Sequence, residues 1–260
     1  MNNILWSKGL SNKTQYQMAH TGYRADNYEI IREINKCNGI LWIRNNGYDL
    51  DIVSCIVDKL TSPIKIVITD GDTSLGDYKI KTIKKLINSN KITYFPIGLD
   101  LHTIETSIGN NPYCKYELLL KMRNIPKTIN KCLIDFKVTP RSNNRLRIIN
   151  ESKNNKNIKI LNDRLSICEL YNLYSTYKFI ICAEGGGLDC HRQYEAWLCG
   201  CVVLTHNSSL DNMFNEFPTI YINDFSKITI EDLNKYWDYT INKRATENII
   251  SKFKYDFWLK

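Results

Sequence analysis

The sequence of 260 residues predicts an α/β protein with two parallel sheets, and two patterns lead to this prediction. Short apolar, β-branched runs alternate with helix-like segments over residues 39–95, and the same alternation begins again at residue 132. Strands that alternate with helices are typical of βαβ units, in which the strands are parallel. A polar, proline-containing stretch near residues 125–127 separates the halves. We therefore expect two domains, over residues 1–128 and 129–260.

The first half contains three convincing strand patterns, each an apolar run that leads into polar residues. The predicted strands cover residues 39–43, 64–69 and 92–95, and the predicted helices cover residues 28–36, 51–60, 78–88 and 113–123. Ligands of parallel sheets gather beyond the carboxyl ends of the strands. The polar residues that follow each strand are therefore candidate site residues.

The second half repeats this construction with five strand patterns. The predicted strands cover residues 132–136, 158–161, 179–182, 201–204 and 219–222, and the predicted helices cover residues 143–150, 166–174, 189–199 and 230–241. Ser166 is the expected N-cap of the predicted helix over 166–174. Residues 244–260 form an amphipathic, aromatic-rich end, and we expect the last helix to pack back on the N-terminal domain.

The chain is organised around residues 178–206, which predict a strand, a glycine turn, a helix and a second strand. Glu184-Gly185-Gly186-Gly187 forms the turn, Asp189 is the expected N-cap, and Gly200 the expected stop. Glycines let a ligand approach the backbone closely, and the amides and dipole of a helix start favour an anion. We expect a phosphate or diphosphate there.

Three side chains, His191, Arg192 and Glu195, fall on the first two turns of that helix. A guanidinium suits a phosphate, and a carboxylate suits the two hydroxyls of a ribose. A structural alternative stays open, in which the glycines only permit tight packing and Arg192 pairs with Glu195 along the helix.

Composition excludes several classes of protein. The net charge of +8 comes from lysines scattered along the chain, without arginine-rich tracts, so we expect no nucleic-acid partner. Nine cysteines without a CxxC pair lie mostly in apolar runs, which favours reduced core thiols and an intracellular protein without a zinc site. No stretch reaches the roughly 18 apolar residues that span a bilayer, so we expect a cytoplasmic protein without a membrane span. Abundant Asn, Ile and Lys indicate an AT-rich genome, such as that of a giant virus.

Residues 169–228 resemble the donor-binding half of GT-B glycosyltransferases of the exostosin-like kind. The likeness consists of a short Tyr-rich helix, the run F-x-x-x-x-E-G-x-G-x-D-x-H-R-x-x-E, an A-x-x-x-G strand entry and a closing P-x-x-x-x-x-D. The run from Pro96 to His102 supports the N-terminal half more loosely. The resemblance implies two Rossmann-like domains that face each other across a cleft. It also implies transfer of a sugar from a nucleotide-diphosphate sugar to an acceptor hydroxyl without a metal or other cofactor.

The resemblance also implies roles for individual residues. Glu195 matches the glutamate that holds the donor ribose, and Arg192 matches a basic residue near the diphosphate. The other residues that we place at the donor are Arg141, Arg145, Glu184, Gly185, Gly186, Gly187, Asp189 and His191. Gly187 stands where many retaining enzymes carry a first glutamate, eight positions before the ribose glutamate, so the stereochemical outcome stays open.

An inverting reaction needs a general base for the acceptor hydroxyl. The candidates follow strands of the first half and are Asp70, Asp72, Asp100 and His102, although each is also compatible with an ordinary turn or surface residue. The acceptor is a glycan, a glycoprotein or a small molecule. The main alternative is a Rossmann-like protein that binds a nucleotide or sugar without catalysis. A dehydrogenase is disfavoured because no G-x-G-x-x-G follows the first strand, and a scaffold is supported only by the basic charge.

Overall fold

The structure is a computed structural model, and it shows an α/β chain with two parallel sheets, as predicted. It describes residues 16–17, 32, 35, 40–44, 59, 61, 64–69, 92–99, 112–138, 143–184, 189–208 and 210–258. These residues divide into two compact units. One contains the described part of residues 1–98 together with residues 254–258, and the other contains residues 99–184 and 189–253 as far as they are described. The boundary after residue 128 and the packing of the last helix stay predictions.

The sheet of the first unit contains four described strands in the order of the chain, β1-β2-β3-β4, and every neighbouring pair is parallel. They are β1 (Tyr16–Gln17), β2 (Ile40–Arg44), β3 (Ile64–Thr69) and β4 (Ile92–Phe95). The predictions for β3 and β4 agree residue for residue, β2 begins one residue later than predicted, and β1 was not predicted. The predicted helices over 28–36, 51–60 and 78–88 lie almost wholly outside the described residues.

The second unit continues the alternation of helices and strands that the sequence predicts. Its elements are α1 (Pro112–Arg123), β5 (Ile129–Ile134), α2 (Asn143–Ser152), β6 (Ile158–Ile160), α3 (Ile167–Thr176), β7 (Tyr177–Ile181), α4 (His191–Leu198), β8 (Val202–Thr205), α5 (Asp211–Phe214), β9 (Thr219–Tyr221), α6 (Ile230–Tyr239) and α7 (Thr246–Lys252). A 3-10 turn covers Phe225–Lys227, and α8 (Tyr255–Trp258) follows within the first unit. Most boundaries differ from the predictions by one to three residues.

The strand order of the second sheet creates a crevice at one point. The order is β6-β5-β7-β8-β9, and all neighbouring strands are parallel. After β5 the chain adds β6 on one side of it, and then adds β7, β8 and β9 in succession on the other side. In open parallel sheets, ligands bind beyond the carboxyl ends of the strands where the direction of winding changes. That point lies between β5 and β7.

Both faces of this sheet are covered, which explains why its strands read as continuous apolar runs. One face forms a core with α2, α6 and the 3-10 turn, and contains Cys132, Ile134, Phe179, Ile181, Val202 and Leu204 among its buried residues. An aromatic cluster forms a second core, in which Tyr194 and Trp197 of α4 pack with Phe214, Phe217 and Phe253. Tyr194 and Trp197 are both fully buried.

The start of α4 differs from the prediction. Cys190 is the N-cap, and the helix runs over 191–198 instead of 189–199. Asp189 does not cap because its carboxylate accepts a hydrogen bond of 2.7 Å from the hydroxyl of Tyr194 inside the protein. The side chain of Gln193 accepts from the backbone N–H of Cys190 instead. The predicted cap of α3 is confirmed, where Ser166 and Glu169 form a capping box.

The end of α4 is held by Arg123 from α1. Its guanidinium donates to the carbonyl of Trp197 at 2.9 Å, to Thr246 Oγ1 at 3.1 Å and to the carbonyl of Arg244. Carbonyls at the last turn of a helix lack partners within the helix, and a cation there also offsets the negative end of the dipole. Gly200, the predicted stop, has φ of +84°, and a Cβ there would lie 3.3 Å from Arg123 Cγ. A glycine is therefore required at this position.

Candidate functional site

The candidate site lies at the carboxyl ends of β5 and β7, within the second unit. Asp135 and Phe136 follow β5 directly, and Cys182 and Glu184 follow β7. Two helices bring arginines to this crevice, α2 with Arg145 and α4 with Arg192. Two of the predicted donor-binding residues, Arg145 and Arg192, therefore lie at the point where the direction of winding of the sheet changes.

Asp135 connects the crevice to Arg192. One oxygen, Oδ1, forms an ion pair with Nε of Arg192, and the other, Oδ2, accepts a hydrogen bond of 2.9 Å from the hydroxyl of Tyr174. The side chain of Asp135 is only 5% exposed, whereas that of Arg192 is 21% exposed and can meet a ligand. Burial alone lowers the pKa of Arg192, but the charge of Asp135 and of other nearby groups raises it well above its usual value. Arg192 is a permanent cation.

Arg145 also lies beside the ring of Phe136. Its Nε donates to the carbonyl of Glu184 at 3.2 Å, and its NH1 donates to the carbonyl of Lys137 at 3.3 Å. The guanidinium carbons of Arg145 and Arg192 lie 5.6 Å and 5.8 Å from the centre of the Phe136 ring. Burial and the nearby charge of Arg192 both lower the pKa of Arg145. The two cations thus repel each other, and an anion between them would be favoured.

Two thiols complete the described part of the crevice. Cys182 is 2% exposed and Cys190 is 8% exposed, and the thiol of Cys190 donates to Oε1 of Gln193 at 3.7 Å. The neighbouring thiol of Cys182, together with the positive charges of Arg192 and Arg145, lowers the pKa of Cys190 to about 7, although burial acts in the opposite direction. Burial raises the pKa of Cys182. Cys190 therefore changes charge near neutral pH beside both arginines.

We expect this titration to oppose anion binding as the pH rises. Below pH 7 Cys190 is a neutral thiol, and above it the thiolate adds a negative charge to the crevice. Pyrophosphate also loses a proton in this range, so the comparison needs Cys190→Ser, which lacks the titration. The ratio of the dissociation constants of wild type and Cys190→Ser for pyrophosphate should rise roughly fivefold between pH 6 and pH 8, which corresponds to about 1 kcal/mol of repulsion. Calorimetry at both pH values measures it, and a constant ratio would contradict this role.

Glu195 lies one turn beyond Arg192 and pairs with a residue that the sequence did not suggest. Oε1 of Glu195 lies 2.7 Å from Nζ of Lys115, and the two side chains are 11% and 5% exposed. Lys115 comes from α1, which packs against α3 and α4. The alternative of an ion pair between Arg192 and Glu195 along the helix is not what the structure shows, because Arg192 pairs with Asp135. The ribose role of Glu195 stays a prediction.

The structure places the remaining predicted residues as follows. His191 begins α4 and is half-buried, Asp189 is buried against Tyr194, and Glu184 offers its carbonyl to Arg145. Asp224 caps the 3-10 turn, since its carboxylate accepts a hydrogen bond from the backbone N–H of Ser226. Several predicted residues lie outside the described residues: Arg141, Gly185, Gly186, Gly187, Asp70, Asp72, Asp100 and His102.

Sequence reasoning missed Asp135, Tyr174 and Lys115. Asp135 fell within the predicted strand over 132–136, but β5 ends at Ile134, so Asp135 is the first residue beyond the strand. An acidic residue directly after an apolar run was the available signal for it. Tyr174 and Lys115 lie on helices and reach the site only through packing, so no local pattern marks them.

The described part of the chain was predicted to contain neither a metal site nor a membrane-spanning helix. Among these residues, no group of three or more His, Cys, Asp and Glu side chains could hold a metal ion. In the same residues, no helix has both the length and the apolar character needed to cross a bilayer. The predictions of metal-free action and of a cytoplasmic protein stay predictions.

Comparison with known proteins gives structural neighbours only. No protein-family model matches the sequence, and no curated protein matches it. HepE from Anabaena in complex with UDP has a TM-score of 0.39 and 10% identity, over 86% of this chain and 75% of that chain. A UDP-forming α,α-trehalose-phosphate synthase from Burkholderia vietnamiensis has a TM-score of 0.38 and 8% identity, over 86% and 75% of the two chains. An α1,3-fucosyltransferase has a TM-score of 0.36 and 12% identity, over 81% and 68%.

These values do not place the chain in a family. The exostosin-like resemblance and a viral source gain no support from them. The case for function therefore depends on the residues of the crevice.

Proposed function

We propose that the chain binds a nucleotide-diphosphate sugar and transfers the sugar to an acceptor hydroxyl, as a GT-B glycosyltransferase with a metal-independent mechanism. In this proposal the second unit holds the donor, and the diphosphate lies at the carboxyl ends of β5 and β7. The nucleotide sugar is the substrate, and a glycan, glycoprotein or small molecule is the acceptor.

The observation that carries the proposal is the pair of guanidiniums beside Phe136. Arg145 donates only to carbonyls within the described residues, so its charge is not balanced by a carboxylate there. Arg192 uses Nε for Asp135, and its two terminal amino groups make no hydrogen bond to the described residues. Bidentate binding by such a fork is the preferred mode of recognition of phosphate by arginine.

The same geometry supports the chemistry of glycosyl transfer. Cleavage of the bond between the sugar and the diphosphate leaves negative charge on the leaving group. Fixed cations beside the leaving oxygen stabilise that charge more in the transition state than in the bound donor. Arg145 and Arg192 are buried on most sides and held by protein groups, so little reorganisation is needed when the charge develops.

Glu195 is the proposed contact to the ribose. Lys115 occupies Oε1, and Oε2 has no partner among the described residues, so one oxygen is available to a hydroxyl. The ion pair with the buried Lys115 holds the carboxylate of Glu195 in place beside Arg192. The proposed base is one of Asp70, Asp72, Asp100 and His102, and the choice between retention and inversion stays open with it.

The test is binding and turnover by the wild-type chain. We expect one nucleotide diphosphate from a panel of UDP, GDP, ADP and CMP to stabilise the protein by about 2.7 kcal/mol at 100 times its dissociation constant. Thermal unfolding measures this shift, and release of the nucleotide from the matching sugar donor measures turnover.

The variant Glu195→Gln localises the ribose in the same experiment. It should weaken nucleotide binding roughly tenfold while leaving inorganic pyrophosphate binding unchanged, because only the nucleotide carries a ribose. Binding without turnover on any acceptor would favour the non-catalytic alternative. Absence of any shift with the whole panel and with pyrophosphate would overturn the proposed donor site.

A further inference from the structure

We propose that Tyr174 and Asp135 are positioning residues that aim the guanidinium of Arg192 at a diphosphate. This inference rests on the proposed function, because it assigns the support of the same anion site. Neither residue needs to touch the ligand. Their effect passes through one ion pair and one hydrogen bond.

Tyr174 is fixed within the layer of packed helices. Its side chain is fully buried, and its ring packs at 6.1 Å from that of Tyr171. Its backbone carbonyl accepts hydrogen bonds from the thiol of Cys201 and from Nζ of Lys127. The position of its hydroxyl is therefore determined by the packed helix layer.

Both carboxylate oxygens of Asp135 have a partner. Tyr174 occupies Oδ2 and Arg192 occupies Oδ1, so the plane of the carboxylate is held at both oxygens. A buried carboxylate with a single partner could rotate about its bond to Cβ. The hydroxyl of Tyr174 removes that freedom. Burial and the charge of Asp135 raise the pKa of Tyr174 well above its usual value, so the hydroxyl stays protonated and remains a donor.

The direction of the Arg192 guanidinium depends on Asp135. Since Asp135 takes Nε, the terminal amino groups remain for a ligand, and their direction follows from the orientation of the carboxylate. A loss of orientation should reduce affinity for an anion that needs both amino groups at once. Pyrophosphate is the matching probe, because it contains the diphosphate without a base, ribose or sugar.

The experiment is a double-mutant cycle on pyrophosphate affinity with Tyr174→Phe and Arg192→Met. Tyr174→Phe keeps the buried ring and removes only the hydroxyl, and Arg192→Met keeps the aliphatic stem and removes the guanidinium. We expect Tyr174→Phe to weaken binding about tenfold in the wild type and less than about twofold in Arg192→Met, because the effect of Tyr174 passes through Arg192. Tyr177→Phe is the control, since no hydrogen bond of its hydroxyl occurs among the described residues, and it should leave the affinity unchanged.

Variants of Asp135 give an independent readout by conservative rescue. Asp135→Asn keeps one acceptor oxygen for Arg192 and can donate from its amide nitrogen to the hydroxyl oxygen of Tyr174, so it should bind pyrophosphate within about threefold of the wild type, whereas Asp135→Ala should lose about as much as Arg192→Met. Circular dichroism shows whether each variant is folded. If Asp135→Ala does not fold, the cycle still decides. Equal effects of Tyr174→Phe in both backgrounds would overturn the positioning role while leaving the donor site in place. A wild type that does not bind pyrophosphate would overturn the proposed function, and this inference with it.

Discussion

Replacement of both Arg145 and Arg192 by methionine is expected to weaken pyrophosphate binding by about 10² to 10⁴. Each guanidinium supplies charge-assisted hydrogen bonds, which contribute about 1.5–3 kcal/mol apiece, and the two contributions act on one ligand. Each single variant should lose about 10- to 100-fold. Isothermal titration calorimetry at low salt measures the dissociation constants directly.

Arg147→Met is the matched control for this experiment. Arg147 lies on the same helix as Arg145, two residues further on, and its removal changes the net charge equally. Its side chain is 60% exposed and pairs with Glu151 at 2.7 Å on the outer face of α2. If Arg147→Met weakens binding as much as Arg145→Met, the effect would be that of overall charge, and the crevice would not be the anion site.

The stability of the variants separates binding from folding. Arg192→Met leaves Asp135 buried with only Tyr174 as a partner, and removal of one partner of a buried ion pair commonly costs about 3–5 kcal/mol. Arg192→Lys keeps a charge for Asp135 but lacks the fork, so it should retain more stability and still lose affinity. Affinities are therefore compared only at temperatures where each variant is folded.

Trp197→Ala is expected to lower the free energy of unfolding by about 3–5 kcal/mol, because it removes a large buried side chain. The indole is fully buried, stacks on Phe217 at 4.2 Å between ring centres, and lies 5.2 Å from Tyr194 and 5.3 Å from Phe214. Its removal leaves a cavity at the centre of the aromatic cluster that supports α4. Chemical denaturation with urea measures the change.

Trp197→Phe distinguishes the loss of volume from the loss of the aromatic contact. The indole Nε1 of Trp197 is buried without a hydrogen-bond partner among the described residues. Phenylalanine removes this unsatisfied donor and keeps one ring, so the cost should stay below about 2 kcal/mol. Tyr239→Ala, at a position that is 67% exposed, should change stability by less than about 1 kcal/mol. A Trp197→Ala variant as stable as Tyr239→Ala would contradict the assignment of Trp197 to the core.

The sequence predicted most of the fold because its elements are locally encoded. The strands β3 and β4 and the cap at Ser166 were predicted at the observed residues, and the stop at Gly200 was also correct. Apolar runs, capping residues and glycines act over a few neighbouring positions, so they can be recognised without the rest of the chain.

The boundaries that were wrong have tertiary causes. β5 begins at Ile129 instead of Cys132, because Ile129 pairs with Tyr177 of β7. The register of this pairing shifts between Ile129 and Cys132, and no local sequence pattern predicts the shift. Asp189 was predicted to be the N-cap of α4, but its carboxylate accepts a hydrogen bond from the hydroxyl of buried Tyr194. The N-cap residue is Cys190 instead. In both places a contact from a neighbouring element overrides a local preference.

The candidate site also has a part that local sequence patterns predict and a part that depends on tertiary contacts. The sequence by itself determined that strands and helices alternate, that three consecutive glycines precede α4, and that Arg192 and Glu195 lie on its first two turns, because these are properties of adjacent residues. Only the tertiary structure decided which partners these residues have. Asp135, itself held by Tyr174, pairs with Arg192, and Lys115 pairs with Glu195. The guanidiniums of Arg145 and Arg192 both lie beside the ring of Phe136. These contacts join residues from different elements of the second unit, and their partners are chosen by the order of the strands and the packing of the helices.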